Sequence, residues 1–139
     1  MKASIIFVVS ACLLVGVVEA KGGDQVPTEV YNDLNQTTFA PLFDALKQGD
    51  LASLKRLLAP NAYEQYRVLF EKNQNYGQFL RDFYANTDFE LGDVTTVGDG
   101  YIGQVAIHWP DGRSTIMELH VTENRRSGAR FVDPTLSDD

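Results

Sequence analysis

The chain has 139 residues, 12 Lys and Arg against 19 Asp and Glu, and a net charge of -7. With 44% hydrophobic and 22% charged residues it has the composition of one globular domain, and it is too short for a multidomain enzyme. The acidic balance argues against nucleic acid or an anionic membrane surface as partner, because both require clustered cations that displace counterions.

Lys2 precedes an uncharged run over residues 3–18, followed by Val18-Glu19-Ala20, where a signal peptidase would read Val and Ala. Residues 1–20 therefore read as a signal peptide, and the run is short for a retained span, which needs about 20 apolar residues. The alternative is a lipoprotein signal, since Val9-Ser10-Ala11-Cys12 loosely resembles a lipobox, but cleavage there would strand the apolar residues 13–18 behind the lipid. The expected destination is the periplasm or the exterior. Loss of residues 1–20 removes Lys2, Glu19 and the only cysteine, so the net charge is unchanged and no disulfide can support the core. Asn35-Gln36-Thr37 has the form of a glycosylation sequon.

Residues 21–37, with Gly22-Gly23 and Pro27, read as a flexible lead-in. A first helix is predicted over 39–48, with Thr38 as cap, Pro41 in the first turn, Gly49 as stop, and Phe39, Leu42, Phe43 and Leu46 on its apolar face. Asp50 caps a second helix over 51–59, carrying Leu51, Leu54, Leu57 and Leu58 and ended by Pro60. A third helix over 61–73 aligns Tyr63, Tyr66 and Phe70. A fourth over 76–84 aligns Tyr76, Phe79, Leu80 and Phe83.

From Phe89 the period changes to two. Strands are predicted over 89–97, 101–109, 113–121 and 129–132, with Pro110-Asp111-Gly112 and Arg125-Arg126-Ser127-Gly128 as turns. The central hairpin register places Trp109, Ile107, Val105, Gly103 and Tyr101 opposite Arg113, Thr115, Met117, Leu119 and Val121 on one core-directed face. Ile102, Gln104, Ala106 and His108 face His120, Glu118, Ile116 and Ser114 on the other, which is mixed. The predicted fold is α+β, with N-terminal helices packed on one face of a curved antiparallel sheet of about four strands.

The run Phe43-Asp44-Ala45-Leu46-Lys47-Gln48-Gly49-Asp50-Leu51, the leucine helix ending at Pro60, and the meander closing on Arg130-Phe131-Val132-Asp133 resemble the nuclear transport factor 2-like superfamily, a cystatin-like cone fold. The resemblance covers residues 38–134 as a single domain and leaves 135–139 as a disordered tail. It implies helices wrapped on a curved sheet, a pocket between them, and dimerisation through the outer face of the sheet. Arg130 stands where many members have tryptophan.

Eight of the 15 aromatic residues lie between Tyr63 and Phe89, enough to wall a cavity or to fill a core. Tyr63, Tyr66, Phe83, Tyr101, Trp109, Thr115 and Met117 are the candidate pocket residues for a small apolar ligand. The resemblance also implies an isomerase or cyclase reading, but that chemistry needs a carboxylate or histidine base, and the core-directed face carries neither. A base would have to come from Asp44, Asp82 or Asp88, so no catalytic residue is assigned and a non-enzymatic binding domain is preferred. His108, Glu118 and His120 share the mixed face without metal-ligand spacing, and no cofactor motif occurs. Arg125, Arg126 and Arg130 make a small basic spot that reads as a solvated loop. Ile102, Ala106, His108, Ile116, Glu118 and His120 form an apolar centre with polar surroundings, the pattern of a homodimer interface.

Overall fold

The computed structural model describes residues 24–124 and 126–134. Helix α1 (Thr28–Leu34) runs through a π-helical turn (Asn35–Phe39) into α2 (Ala40–Gln48), followed by α3 (Leu51–Leu57), α4 (Pro60–Lys72) and α5 (Tyr76–Phe83). Strands β1 (Asp88–Val97), β2 (Gly100–His108), β3 (Ser114–Glu123) and β4 (Arg130–Asp133) then form an antiparallel meander in the order β1-β2-β3-β4. The α+β architecture of helices on a curved four-stranded sheet is that expected from the sequence. The hairpin register is also as expected, with Ile107 opposite Thr115, Val105 opposite Met117 and Gly103 opposite Leu119.

The start of the domain differs. Thr38 caps nothing, because the chain is already helical when it reaches that residue. Pro41 has no N–H to give to the carbonyl of Thr37 and its ring crowds that turn, and the helix absorbs the defect by widening: Ala40 N–H donates to Asn35 O, five residues back. The lead-in expected over 21–37 is thus replaced from Thr28 onward by helix. Ahead of it Val26 N–H donates to Val94 O at 3.0 Å and Thr96 N–H to Asp24 O at 3.1 Å, which seats residues 24–26 along β1. Residues 1–23 and 135–139, which hold the expected signal peptide and tail, lie outside the described residues.

The other helix ends are corrected by a residue or two. Leu58 turns extended and bridges Val132, and Ala59 N–H donates to Val132 O at 2.8 Å, so α3 ends at Leu57 and Pro60 opens α4 instead of closing α3. Asp50 does cap α3, accepting from the amide and the hydroxyl of Ser53.

Two glycines let the layers approach. Gly49 ends α2 at φ 65°, and a Cβ there would stand 2.0 Å from the Gly77 carbonyl oxygen, so α2 and α5 cross backbone to backbone. A Cβ at Gly103 would meet the Phe39 ring at 2.5 Å, so β2 gives up a side chain to admit that ring from the helical layer. The curvature comes from β1. Leu91 pairs with Val105 but Val94 with Gly103, an extra residue that bends the strand and swaps the parity of its faces. Tyr31 on α1 donates to Leu91 O at 2.9 Å beside this bulge. Val105, Ile107, Met117, Leu119 and Val121 are all buried under the helices, while Gln104 and Glu118 are half-exposed.

Candidate functional site

The helical layer meets the sheet through a continuous succession of rings. Phe39 and Phe43 lie 6.3 Å apart; Phe43 stacks on Phe89 at 5.0 Å, and Phe89 meets Tyr84 at 5.3 Å. Tyr84 and Phe83 both pack on Trp109, at 6.3 and 5.8 Å. Phe83 continues along α5 to Phe79 at 5.6 Å and Tyr76 at 6.3 Å, and from there Phe70 and Tyr63 extend the series onto α4. The alternation of helix and strand periods makes this possible, because Tyr76, Phe79 and Phe83 share one face of α5 while Phe89 and Trp109 lie on the core-directed face of the sheet.

The seven candidate pocket residues do not converge. Phe83, Trp109 and Thr115 meet at the hairpin end, where Trp109 Nε1–H donates to Thr115 Oγ1 at 3.0 Å and fixes the indole. Met117 is filled in among core side chains. Tyr63 sits on α4 with its hydroxyl on Glu71 at 3.1 Å and Lys55 over its ring. Tyr66 is fully buried, its hydroxyl pushed up to about 12 by loss of solvent and by the nearby Tyr76 and Asp133. Tyr101 stands eight residues along β2 from Trp109, about 26 Å at strand rise, and belongs to a different cluster. Strand alternation put Tyr101, Trp109, Thr115 and Met117 on one face and helical spacing supplied Tyr63, Tyr66 and Phe83, but neither shows that rings from the helices close the space between the layers.

What remains open is the rim. Phe79 and Phe83 are each 36% exposed and stacked nearly parallel, and with half-exposed Trp109 they make an apolar ridge across α5 and the hairpin. The hairpin is firmly built: Gly112 at φ 92° donates to Trp109 O, Trp109 N–H donates to Arg113 O, and the Asp111 carboxylate accepts from Arg113 N–H and Nε–H. Those bonds hold the Asp111 carboxyl below the usual carboxylate range.

The carboxylates considered as bases are all exposed. Asp44 points away from a helix whose inward positions are taken by Leu42, Phe43, Ala45 and Leu46; Asp82 accepts from Gln78; Asp88 is 3.7 Å from Lys47. Asp44 lines a surface cleft of about 430 Å³ with Asp50, Ser53 and Arg56, and a second cleft of about 500 Å³ lies along Val68, Leu69 and Lys72. A buried carboxylate missed by the sequence reading is Asp133, beside Tyr66.

Arg130 is not part of a solvated basic loop. It reaches back to α1, pairing with Asp33, while its Nε–H donates to Glu123 at 2.9 Å and its guanidinium lies over the Tyr101 ring. Tyr101 also donates to Glu123, at 3.2 Å. Burial works against the charge of Arg130, but the two carboxylates outweigh it and raise its pKa. Arg126 is exposed, and Arg125 lies outside the described residues.

On the outer face, Gln25, Thr95, Ile102, His120 and Asp133 are in register across five adjacent segments. Thr95, Ile102 and His120 there are only 4%, 2% and 9% exposed, so two residues expected at a dimer interface are already buried within the chain. Ile116, at 38% exposed, is the apolar residue of that set left open, beside half-exposed Ala106 and Glu118. His108 lies between Ser114 and Glu90 nearer the hairpin.

The helices, the bulged meander and the ring-filled interface between them define a nuclear transport factor 2-like fold. A structure from Campylobacter jejuni described as an NTF2-like transpeptidase superposes with a TM-score of 0.50 at 13% identity, over 68% of this chain and 94% of its own. That similarity is one of fold. No protein-family model and no curated protein matches the chain. Among the described residues no helix is long and apolar enough to cross a membrane.

Proposed function

We propose that the chain is an exported binding domain whose contact surface is the ridge of Phe79, Phe83 and Trp109, and whose ligand is apolar: a small molecule, or the apolar side chains of a protein partner. The observation that carries this reading is the pair of stacked, one-third-exposed phenylalanines continuous with the core rings. Exposed rings lose water readily, and these are held rigid, so little ordering entropy opposes contact. A steroid-isomerase-like activity has less to rest on, since Asp44, Asp82 and Asp88 all face solvent. Native mass spectrometry of the purified protein tests the reading. A bound apolar ligand, or a co-purified partner, is expected and should be lost when Phe79 and Phe83 are both changed to Ser; retention in that variant would refute it.

Export rests on residues 1–20 as a signal peptide, with intact mass of the secreted protein placing the new N-terminus near Lys21. A lipid on Cys12, or an uncleaved chain, would refute it. A homodimer is proposed through the open half of the outer face, centred on Ile116 with Ala106 and Glu118 around it.

A further inference from the structure

We propose that Ser114, His108 and Glu90 form a nucleophilic relay on the outer face of the sheet, in which Ser114 accepts the acyl group of small activated esters. The three residues stand on three adjacent strands. Ser114 is the register partner of His108 across β2 and β3, and Glu90 lies two residues along β1 from Asp88, the partner of His108 on its other side. Alternation across a strand therefore places all of them on the face opposite the helices.

The geometry follows the order nucleophile, base, orienter. Ser114 Oγ is 2.8 Å from His108 Nδ1, and Glu90 Oε1 is 3.1 Å from His108 Nε2. A carboxylate can only accept, so it selects the tautomer with hydrogen on Nε2 and leaves the Nδ1 lone pair facing the Ser114 hydroxyl. The turn that joins the two strands is tied by Trp109 N–H to Arg113 O at 2.8 Å and Gly112 N–H to Trp109 O at 3.0 Å, so the nucleophile and base are set by a rigid hairpin. The charged groups facing His108 are Glu90 and Asp88 from β1, with Asp88 in turn 3.7 Å from Lys47.

In the acylation step the Ser114 Oγ–carbon bond forms and the bond from the acyl carbon to the leaving aryloxide breaks. The Ser114 proton passes to His108 Nδ1, and from there to the leaving oxygen or solvent. Deacylation reverses the roles: water attacks the acyl carbon, His108 takes a proton from it, the carboxylic acid departs and Ser114 Oγ recovers its hydrogen. His108 and Ser114 are half-exposed and exposed, so substrate is met from solvent, and the acceleration is that of general-base catalysis alone. The relay uses a different face from the aromatic ridge and does not depend on the binding reading.

The probe is p-nitrophenyl acetate, used on the full domain and on Ile116→Lys, which keeps this face open whatever the oligomeric state. Nitrophenolate release on the order of 10²-fold faster than from Ser114→Ala is expected, with an acetyl group trapped on the Ser114 peptide by acid quench and mass spectrometry. His108→Gln should abolish both, and Ser127→Ala should change neither. Glu90 acts as a positioning residue. Glu90→Ala, which removes the acceptor for His108 Nε2–H, should slow release severalfold in kcat with KM little changed, and Glu90→Gln, which keeps an oxygen able to accept there, should restore part of the rate. Equal release from Ser114→Ala, or acetyl on lysines alone, would overturn the proposal; release from Glu90→Ala equal to that of the parent would remove Glu90 from it.

Discussion

Arg130→Met should loosen the hold of α1 on the sheet, and the size of the loss can be worked from its contacts. The side chain is 19% exposed and pairs with Glu123, 29% exposed, and Asp33, 55% exposed. The Glu123 bond is partly screened from water and is worth about 1 kcal/mol; the Asp33 pair, more than half in solvent, is worth about 0.5. The guanidinium over Tyr101 at 5.5 Å adds about 0.5 to 1. Methionine retains most of the buried stem, so the expected loss is about 2 kcal/mol, or roughly 10 °C in Tm for a domain of this size. Urea unfolding followed by far-UV circular dichroism measures it, and the double cycle with Glu123→Gln should return a coupling of about 1 kcal/mol. A loss below about 0.5 kcal/mol would show that Arg130 is a surface charge after all and that the reasoning from its partners is wrong.

Leu119→Ala removes a side chain 3% exposed in the centre of the core and should cost about 2 to 5 kcal/mol, against about 0.5 or less for Val68→Ala at 61% exposed; comparable losses would refute the placement of Leu119 in the core. The raised Tyr66 pKa gives an alkaline limit: stability tied to its neutral form is complete below about 10, the unfolded value, and is lost as pH rises toward about 12. Tyr66→Phe should reduce that alkaline loss in urea midpoints taken across the range, and an unchanged pH dependence would contradict the assignment. Ile116→Lys should convert the proposed dimer to a folded monomer by light scattering at tens of micromolar; a parent chain that is monomeric under those conditions ends the dimer reading.

The hairpin was legible to the residue because alternation and a Pro-Asp-Gly turn determine register together. Phe89 to Leu91 and Val94 to Val97 lie on either side of a bulge, and no alternation rule locates an inserted residue; the pairing of β1 with β2, and with it the approach of Glu90 to His108, followed only from the structure. Pro41 reads as part of a first helical turn because proline is favoured there, whereas a π-turn lets the helix begin at Thr28. The candidate pocket residues follow from two patterns, a shared sheet face for Tyr101, Trp109, Thr115 and Met117 and an aromatic helical segment for Tyr63, Tyr66 and Phe83. Whether such a face lines a void or a packed interface depends on rings from elements distant in sequence, here Phe39, Phe43 and Tyr84, and Gly103 opposite Phe39 carries that information only once the layers are placed. In the sequence Arg130 has only Arg125 and Arg126 near it to suggest a role, while its partner Asp33 is 97 residues away in the chain.

Trp109 is the only tryptophan, so its emission reports directly on the ridge. Titration with anilinonaphthalene sulfonate, an anionic fluorophore whose fused rings bind apolar surface, is the most direct test of binding there. The account predicts saturable quenching of Trp109 by energy transfer to the bound probe, weakened at least severalfold in affinity by Phe83→Ser while circular dichroism stays native. Probe binding that leaves Trp109 emission unchanged, or that is equally tight in Phe83→Ser, would contradict it.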